Sequence, residues 1–227
     1  MNSIPKIIHQ TWKTDVLPFP YDELSATWKE LHPDWEHIIW TDEMNKDFIK
    51  DHYPEFLEKY ESYPLNIQRA DAFRYFVLRK YGGLYVDMDF ECVKNFDSLL
   101  RGKECVFGFE PDLHASNILR DFLICNAFMA ATPDNDFIKF VCEKVMSCEK
   151  IKVNGFLDVL NSTGPLILTD AYIDYQLKDK VTILDSTMVY PINYVETSLV
   201  LRDKIPPALQ AKIDKAYGVH YFFGNWS

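Results

Sequence analysis

The stretch Leu84-Tyr-Val-Asp-Met-Asp-Phe-Glu91 places a carboxylate at every second position from Asp87 onward. Read as one strand from Leu84 to Glu91, its side chains alternate. Leu84, Val86, Met88 and Phe90 enter a core, while Tyr85, Asp87, Asp89 and Glu91 share the opposite face. Residues two apart on a strand stand roughly 6–7 Å from one another, so three carboxylates in a row repel unless a cation or water screens them. A solvated acidic face on an edge strand gives the same pattern. A helical stretch and Gly82-Gly83 precede this one, which favours a central strand whose polar end opens where α/β sheets bind ligands. Oxygen donors with no His or Cys beside them suit a hard cation, Mg²⁺ or Mn²⁺, completed by substrate phosphates. The chemistry that fits is a divalent metal holding a diphosphate.

Upstream, Arg69-Ala-Asp-Ala-Phe-Arg-Tyr75 sets Asp71 and Arg74 three residues apart on one helix face. A surface ion pair has that spacing too and contributes little. Here Ala70, Ala72, Phe73, Phe76, Val77 and Leu78 leave little of the helix for solvent, which turns the pair toward a site.

The elements that must position these groups are legible in the same chain. Lys6–His9 and His37–Trp40 read as short apolar strands on either side of a helix over Tyr21–Leu31, and His9, inside the first strand, reads as structural. A long amphipathic helix over Leu65–Tyr81 stops at Gly82-Gly83. Further strands are expected at Glu104–Phe109, Asn126–Ala131 and Val181–Leu184, and a helix at Asn135–Cys148. The alternation implies an α/β fold with a mostly parallel central sheet flanked by helices. With 227 residues, 48% of them hydrophobic, and neither repeats nor Gly/Ser linkers, residues 1–227 read as a single domain.

Composition narrows the function. Lys+Arg 24 against Asp+Glu 34 leaves a net charge of −10, which excludes nucleic acid as a main partner. No apolar run approaches the roughly 20 residues of a membrane span, and the amino terminus does not read as a signal peptide. Five irregularly spaced cysteines without a CxxC pair argue against a zinc knuckle or a disulfide framework, and free thiols point to a cytoplasmic protein.

The string from Arg69 to Asp97, RADAFRYFVLRKYGGLYVDMDFECVKNFD, resembles the DXD sugar-binding region of glycosyltransferase family 32, which includes fungal initiating mannosyltransferases and bacterial polysaccharide enzymes. The opening Ile4-Pro-Lys-Ile-Ile-His-Gln-Thr-Trp-Lys13, the turn Thr163-Gly-Pro165 and the tail His220-Tyr-Phe-Phe-Gly-Asn-Trp226 are similar to other parts of that family. The resemblance implies a GT-A type nucleotide-binding fold and a metal-dependent, retaining transferase. Such an enzyme moves sugar from a UDP- or GDP-sugar to a glycan or lipid-linked glycan acceptor, as in polysaccharide or capsule biosynthesis. A lipid-linked acceptor would bring the protein to a membrane as a peripheral partner.

By the same resemblance Asp89 falls on the metal and Asp87 near metal or ribose, with His220 as a third ligand. Asp71 and Arg74 hold the donor's hydroxyls and diphosphate. Trp12 borders the base, Asn126 lies near the reacting sugar, and Asn225 and Trp226 close over the diphosphate. Asn225 stands where family members often carry Ser. On the residues alone, Trp12 reads as a core aromatic and His220 as a packing histidine. Glu91 and Tyr85 share the acidic face without a motif role. Two other readings keep a place: a haloacid-dehalogenase-like phosphatase, whose opening strand also ends in D-x-D, and a non-catalytic sugar-binding module.

Overall fold

A computed structural model of the chain describes residues 3–149, 152–202 and 205–224. The two short apolar runs near the amino terminus become β1 (Ile7–Thr11) and β2 (Glu36–Trp40), joined by α1 (Tyr21–Leu31) and paired in parallel. Helices α2 (Asp42–His52), α3 (Pro54–Ser62) and α4 (Asn66–Tyr81) follow, then β3 (Gly83–Val86), β4 (Phe90–Cys92), α5 (Asp97–Leu100) and β5 (Cys105–Phe109). After α6 (Asp112–Asn117) come β6 (Ile124–Ala131), α7 (Asp136–Ser147), α8 (Phe156–Ser162), α9 (Pro165–Asp174) and β7 (Thr182–Leu184). The chain ends in α10 (Ser186–Val189), α11 (Tyr194–Val200), α12 (Pro207–Lys215) and β8 (Gly218–His220).

The main sheet has the order β2-β1-β3-β6-β5-β7. Its pairs are parallel except at β6, which runs antiparallel to both neighbours. The mostly parallel sheet expected from the alternation is therefore present, with one reversed strand. That reversal puts the start of β6 at the same edge as the carboxyl ends of β3 and β5. Two cores cover the sheet. Residues of α2, α3, α4, α7 and α9 pack on one face with Tyr85, and residues of α1, α5 and α10 pack on the other with Leu84, Val86 and Phe90.

The strand expected over Leu84–Glu91 is two strands. β3 stops at Val86, Asp87–Asp89 turns, and β4 leaves the sheet to pair antiparallel with β8. Phe90 N–H closes the turn on the Asp87 carbonyl at 3.2 Å. The alternation holds as far as Tyr85 and Val86, which enter opposite cores, and Met88 and Phe90 are still buried. The acidic residues, however, do not share one strand face, because the turn redirects them.

The Gly82-Gly83 stop depends on backbone geometry. Gly82 has φ +64 and ends α4 by donating to the Leu78 carbonyl. At Gly83, φ is +96 and an added Cβ would come 2.6 Å from the Ile7 carbonyl oxygen, so only glycine lets β3 start this close to β1.

His9 is fully buried in β1, as its structural reading requires. Its Nε2–H donates to the Gly82 carbonyl at 2.9 Å, and its Nδ1 accepts from the Trp40 indole at 3.1 Å. The indole can only donate, so the ring is held neutral, and burial pushes its pKa from 6.5 down to about 4. The unfolded chain binds this proton near 6.5 and the folded chain only near 4. The stabilisation is therefore full above pH 6.5 and is lost as pH falls toward 4, by about 2 kcal/mol at pH 5. His37, which burial also pushes to about 4, adds in the same direction. Melting curves should show wild type losing roughly 8–16 °C between pH 7.5 and pH 5, about half of it through His9. His9→Gln should lose distinctly less over the same range, and equal slopes for the two would clear His9 of the effect.

Candidate active site

The β3–β4 turn projects Asp87 and Asp89 at the carboxyl edge of the sheet, and the β4–β8 ribbon brings His220 to them from the far end of the chain. Phe90 pairs with His220 in that ribbon. His220 Nε2 lies 2.9 Å from Asp89 Oδ1 and 4.0 Å from Asp87 Oδ2. Phe223 N–H donates to Asp89 Oδ2 at 2.9 Å, and Tyr221 N–H donates to the Asp89 carbonyl. Burial opposes both charges, yet each partner holds the other: Asp89 lies below the ordinary carboxylate range and His220 above the ordinary histidine value. His220 Nδ1 is buried without a hydrogen-bond partner among the described residues, so the ring's polar function here lies at Nε2.

One ligand atom from each of Asp87, Asp89 and His220 falls within 4.8 Å of the other two. Neighbouring ligands on an ion with bonds of about 2.1 Å stand about 3 Å apart, which the Asp89–His220 separation matches. Two carboxylate oxygens and an imidazole nitrogen suit a divalent ion such as Mn²⁺. These residues fit the cation that the acidic row implied.

Asp87 has a second attachment. Arg74 Nη1 sits 3.0 Å from Asp87 Oδ1 and also donates to the Asn126 carbonyl at 2.8 Å, while Arg74 Nη2 meets Asp71 Oδ1 at 3.0 Å. Its guanidinium lies 4.7 Å over the Tyr85 ring, and the Tyr85 hydroxyl donates to Asp87 Oδ1 at 3.0 Å. Arg74 is 2% exposed and Asp71 4%, so this is a buried cluster, not a surface pair. Asp71 also accepts from Asn126 Nδ2 at 3.0 Å and from the Thr163 hydroxyl at 3.2 Å. Burial drives its pKa up to about 6 against the pull of Arg74.

Asn126 reaches Asp71 through an irregularity. The register between β5 and β6 shifts between Val106 and Gly108, and Cys125 and Ala127 lie in the same core as Phe128 and Ala130. Strict alternation would have sent Asn126 to the face of Phe128. The shift points it at α4, where its amide donates to Asp71 and to the Tyr75 hydroxyl.

These groups open into a cleft of about 1040 Å³ lined by Trp12, Asp71, Arg74, Asp87, Asp89, Asn126 and His220, among others. Trp12 directly follows β1 and stacks obliquely on Tyr21 with centroids 4.4 Å apart. Tyr21 in turn meets Phe223, so the three rings form a wall of the cleft. Trp12 is half-buried at the site and is not a core residue. Glu91 is turned away, accepting from the Tyr221 hydroxyl. Asn225 and Trp226 lie outside the described residues.

Sequence reasoning noted Thr163 only as part of a turn, and it did not single out Glu110 or His114, which also line the cleft. A polar residue directly after an apolar strand, as Glu110 follows β5, was the available signal.

A family model described as the glycosyltransferase sugar-binding region containing the DXD motif matches residues 21–106. Inositol phosphoceramide mannosyltransferase 2 of Schizosaccharomyces pombe is 38% identical over 173 residues, covering 76% of this chain and 47% of its own length. Mannosyl phosphorylinositol ceramide synthase SUR1 of Saccharomyces cerevisiae is also 38% identical over 173 residues, covering 76% and 43%. The chain thus spans a little under half the length of these two curated relatives. Among solved structures, the PaToxG glycosyltransferase superposes with a TM-score of 0.56 at 20% identity, over 95% of this chain and 85% of that one. The fold is of the GT-A type. With Asp87-Met88-Asp89 inside the matched region, the chain belongs to the glycosyltransferases whose sugar-binding region carries the DXD motif.

Proposed function

We propose that residues 1–227 act as one glycosyltransferase domain that moves a hexose, with mannose the first candidate, from a UDP- or GDP-sugar to a hydroxyl-bearing acceptor with retention at the anomeric carbon. The observation that carries this reading is the Asp87–Asp89–His220 cluster at the mouth of a cleft large enough for a nucleotide sugar. Asp87, Asp89 and His220 would hold Mn²⁺ or Mg²⁺, and such an ion, when bound, supplies Lewis acidity to a departing diphosphate.

The chain's own residues do the rest. Asp71 has accepted three hydrogen bonds from Arg74, Asn126 and Thr163, which leaves carboxylate capacity for a donor-sugar hydroxyl. Arg74 was expected to touch the diphosphate. Its guanidinium is already bound to Asp71, Asp87 and the Asn126 carbonyl, so its main part is to orient the carboxylates. The rings of Trp12 and Tyr21 offer a flat surface for a base, and Phe222 and Phe223 help to exclude water, whose attack would give hydrolysis. Retention without an evident protein nucleophile fits attack by the acceptor on the leaving-group face.

The far wall of the cleft is apolar. Leu119 is 94% exposed with φ 56, and exposed Phe156, Leu157 and Tyr194 line the same space. A purely polysaccharide or capsular acceptor has no use for such a wall, whereas an amphiphilic acceptor does, in keeping with relatives named for inositol phosphoceramide. No helix among the described residues is long and apolar enough to cross a membrane.

The test is a melting panel of UDP- and GDP-sugars with and without Mn²⁺. A donor at about 100 times its dissociation constant adds roughly 2.7 kcal/mol, or roughly 5–10 °C. A shift that needs one nucleotide and the metal together supports the reading, and a flat panel in folded protein rejects it. Trp12→Ala should weaken that nucleotide's affinity about tenfold or more, the scale of one lost base–aromatic stack, with little change in the melting temperature of the free protein. An unchanged affinity would remove Trp12 from the base site.

A further inference from the structure

Glu110 directly follows β5, and its backbone N–H extends the β5–β6 ladder by donating to the Leu123 carbonyl at 2.8 Å. The carboxylate therefore arrives at the same sheet edge as Asp87, on the apolar side of the cleft, where Glu110 is 8% exposed. A carboxylate in such a wall is costly unless hydrogen-bonded. Glu110 Oε2 accepts from His114 Nδ1 at 2.7 Å, and His114 Nε2 accepts from the Tyr194 backbone N–H at 3.2 Å.

A backbone N–H can only donate, so this bond fixes the imidazole as the Nδ1–H tautomer, which donates to Glu110 Oε2. The Tyr194 N–H is available because Asn193, which caps α11, takes those of Val195 and Glu196 instead. Phe222 and Tyr194 clamp the His114 ring, at centroid distances of 4.6 and 5.1 Å. Apart from the Cys125 thiol beside it, a weak donor, Glu110 has no second side-chain donor among the described residues. The carboxylate is thus oriented by a chain of three groups, is bound to none of the metal-site residues, and keeps acceptor capacity in a cleft wall.

We propose that Glu110 is the acceptor-binding carboxylate: it receives a hydrogen bond from a hydroxyl of a polyol acceptor whose apolar part lies along Leu119, Leu157 and Tyr194, with His114 as its positioning residue. This rests on the glycosyltransferase reading above. Glutamine at this position keeps the shape and can still accept from His114, but it turns an amide N–H₂ toward the acceptor hydroxyl in place of a charged oxygen.

The experiment uses wild type, Glu110→Gln, Glu110→Asp and His114→Gln with Mn²⁺ and the donor identified by the melting panel. Inositol phosphoceramide in detergent micelles and methyl α-mannoside serve as acceptor probes. For Glu110→Gln the acceptor KM should rise roughly 10–100-fold. The donor-induced melting shift should stay the same. Glu110→Asp, which keeps the charge, should fall between wild type and Glu110→Gln and serves if the glutamine variant does not fold. His114→Gln should raise KM less. A fall in melting temperature without a change in KM would make His114 merely structural. An unchanged acceptor KM in Glu110→Gln, or a donor shift lost in parallel with it, overturns the assignment. So does a wild-type protein that binds donor yet transfers to neither probe. If no donor shifts wild type at all, the glycosyltransferase reading itself has failed, a result distinct from these.

Discussion

Asp89→Asn is expected to abolish the Mn²⁺-dependent part of donor binding and to lower kcat by about 10²–10³, the scale of removing a preorganised electrostatic group. The reason is geometric. Asp89 Oδ1 is the oxygen nearest His220 Nε2, and the same carboxylate takes the Phe223 N–H, so it joins the DXD turn to the carboxy-terminal strand and the wall of the cleft. From the sequence the residue reads as an exposed carboxylate in a repulsive row, whose loss should leave the fold untouched. Its side chain is only 15% exposed, and two hydrogen bonds to a charged group are weakened together. A stability loss of about 1–3 kcal/mol should therefore accompany the functional one. Calorimetric Mn²⁺ titration in the presence of donor, run beside melting curves, checks both. A variant that binds Mn²⁺ and donor like wild type would take Asp89 off the metal.

Arg74→Met should produce the largest stability loss of any substitution at the site. It leaves Asp71 and Asp87 buried or half-buried without their common counter-charge, and breaking a buried ion pair from one side costs about 3–5 kcal/mol. For a chain of this size that lowers the melting temperature by roughly 6–20 °C. Arg74→Lys should not rescue it, because one ammonium cannot reach both carboxylates and the Asn126 carbonyl in the planar geometry the guanidinium uses. The double variant Arg74→Met/Asp71→Asn should recover part of the loss, since one orphaned charge has gone. A melting temperature within about 2 °C of wild type for Arg74→Met would show that water reaches the carboxylates and that the cluster contributes little.

The acidic repeat shows how far local pattern reaches. Alternation predicted correctly that Leu84, Val86, Met88 and Phe90 are buried. It could not predict that the strand ends at Val86, because period-2 hydrophobicity continues unbroken through a turn whose Met88 happens also to be buried. The turn takes the three carboxylates off one shared face, and the fold gives each its own partner: Arg74 for Asp87, His220 for Asp89 and the Tyr221 hydroxyl for Glu91. All three partners come from outside the strand, two of them from about 130 residues downstream.

By itself, then, the sequence determined the longest elements and the residue types. The helix over Tyr21–Leu31, the long helix ending at Gly82 and the neighbouring Asp71–Arg74 pair all follow from spacing a few residues apart, where backbone geometry alone decides who shares a face. The tertiary structure decided the rest. It reversed β6, so that Asn126 lies at the ligand edge, and slipped the β5–β6 register, so that Asn126 faces α4. It closed β8 on β4, which delivers His220 to the DXD turn, and set His114 between Glu110 and the start of α11. Each of these depends on pairing between strands or helices far apart in the chain. Such pairings are chosen by the burial of whole faces and by the satisfaction of backbone donors, and no local run of residues records them.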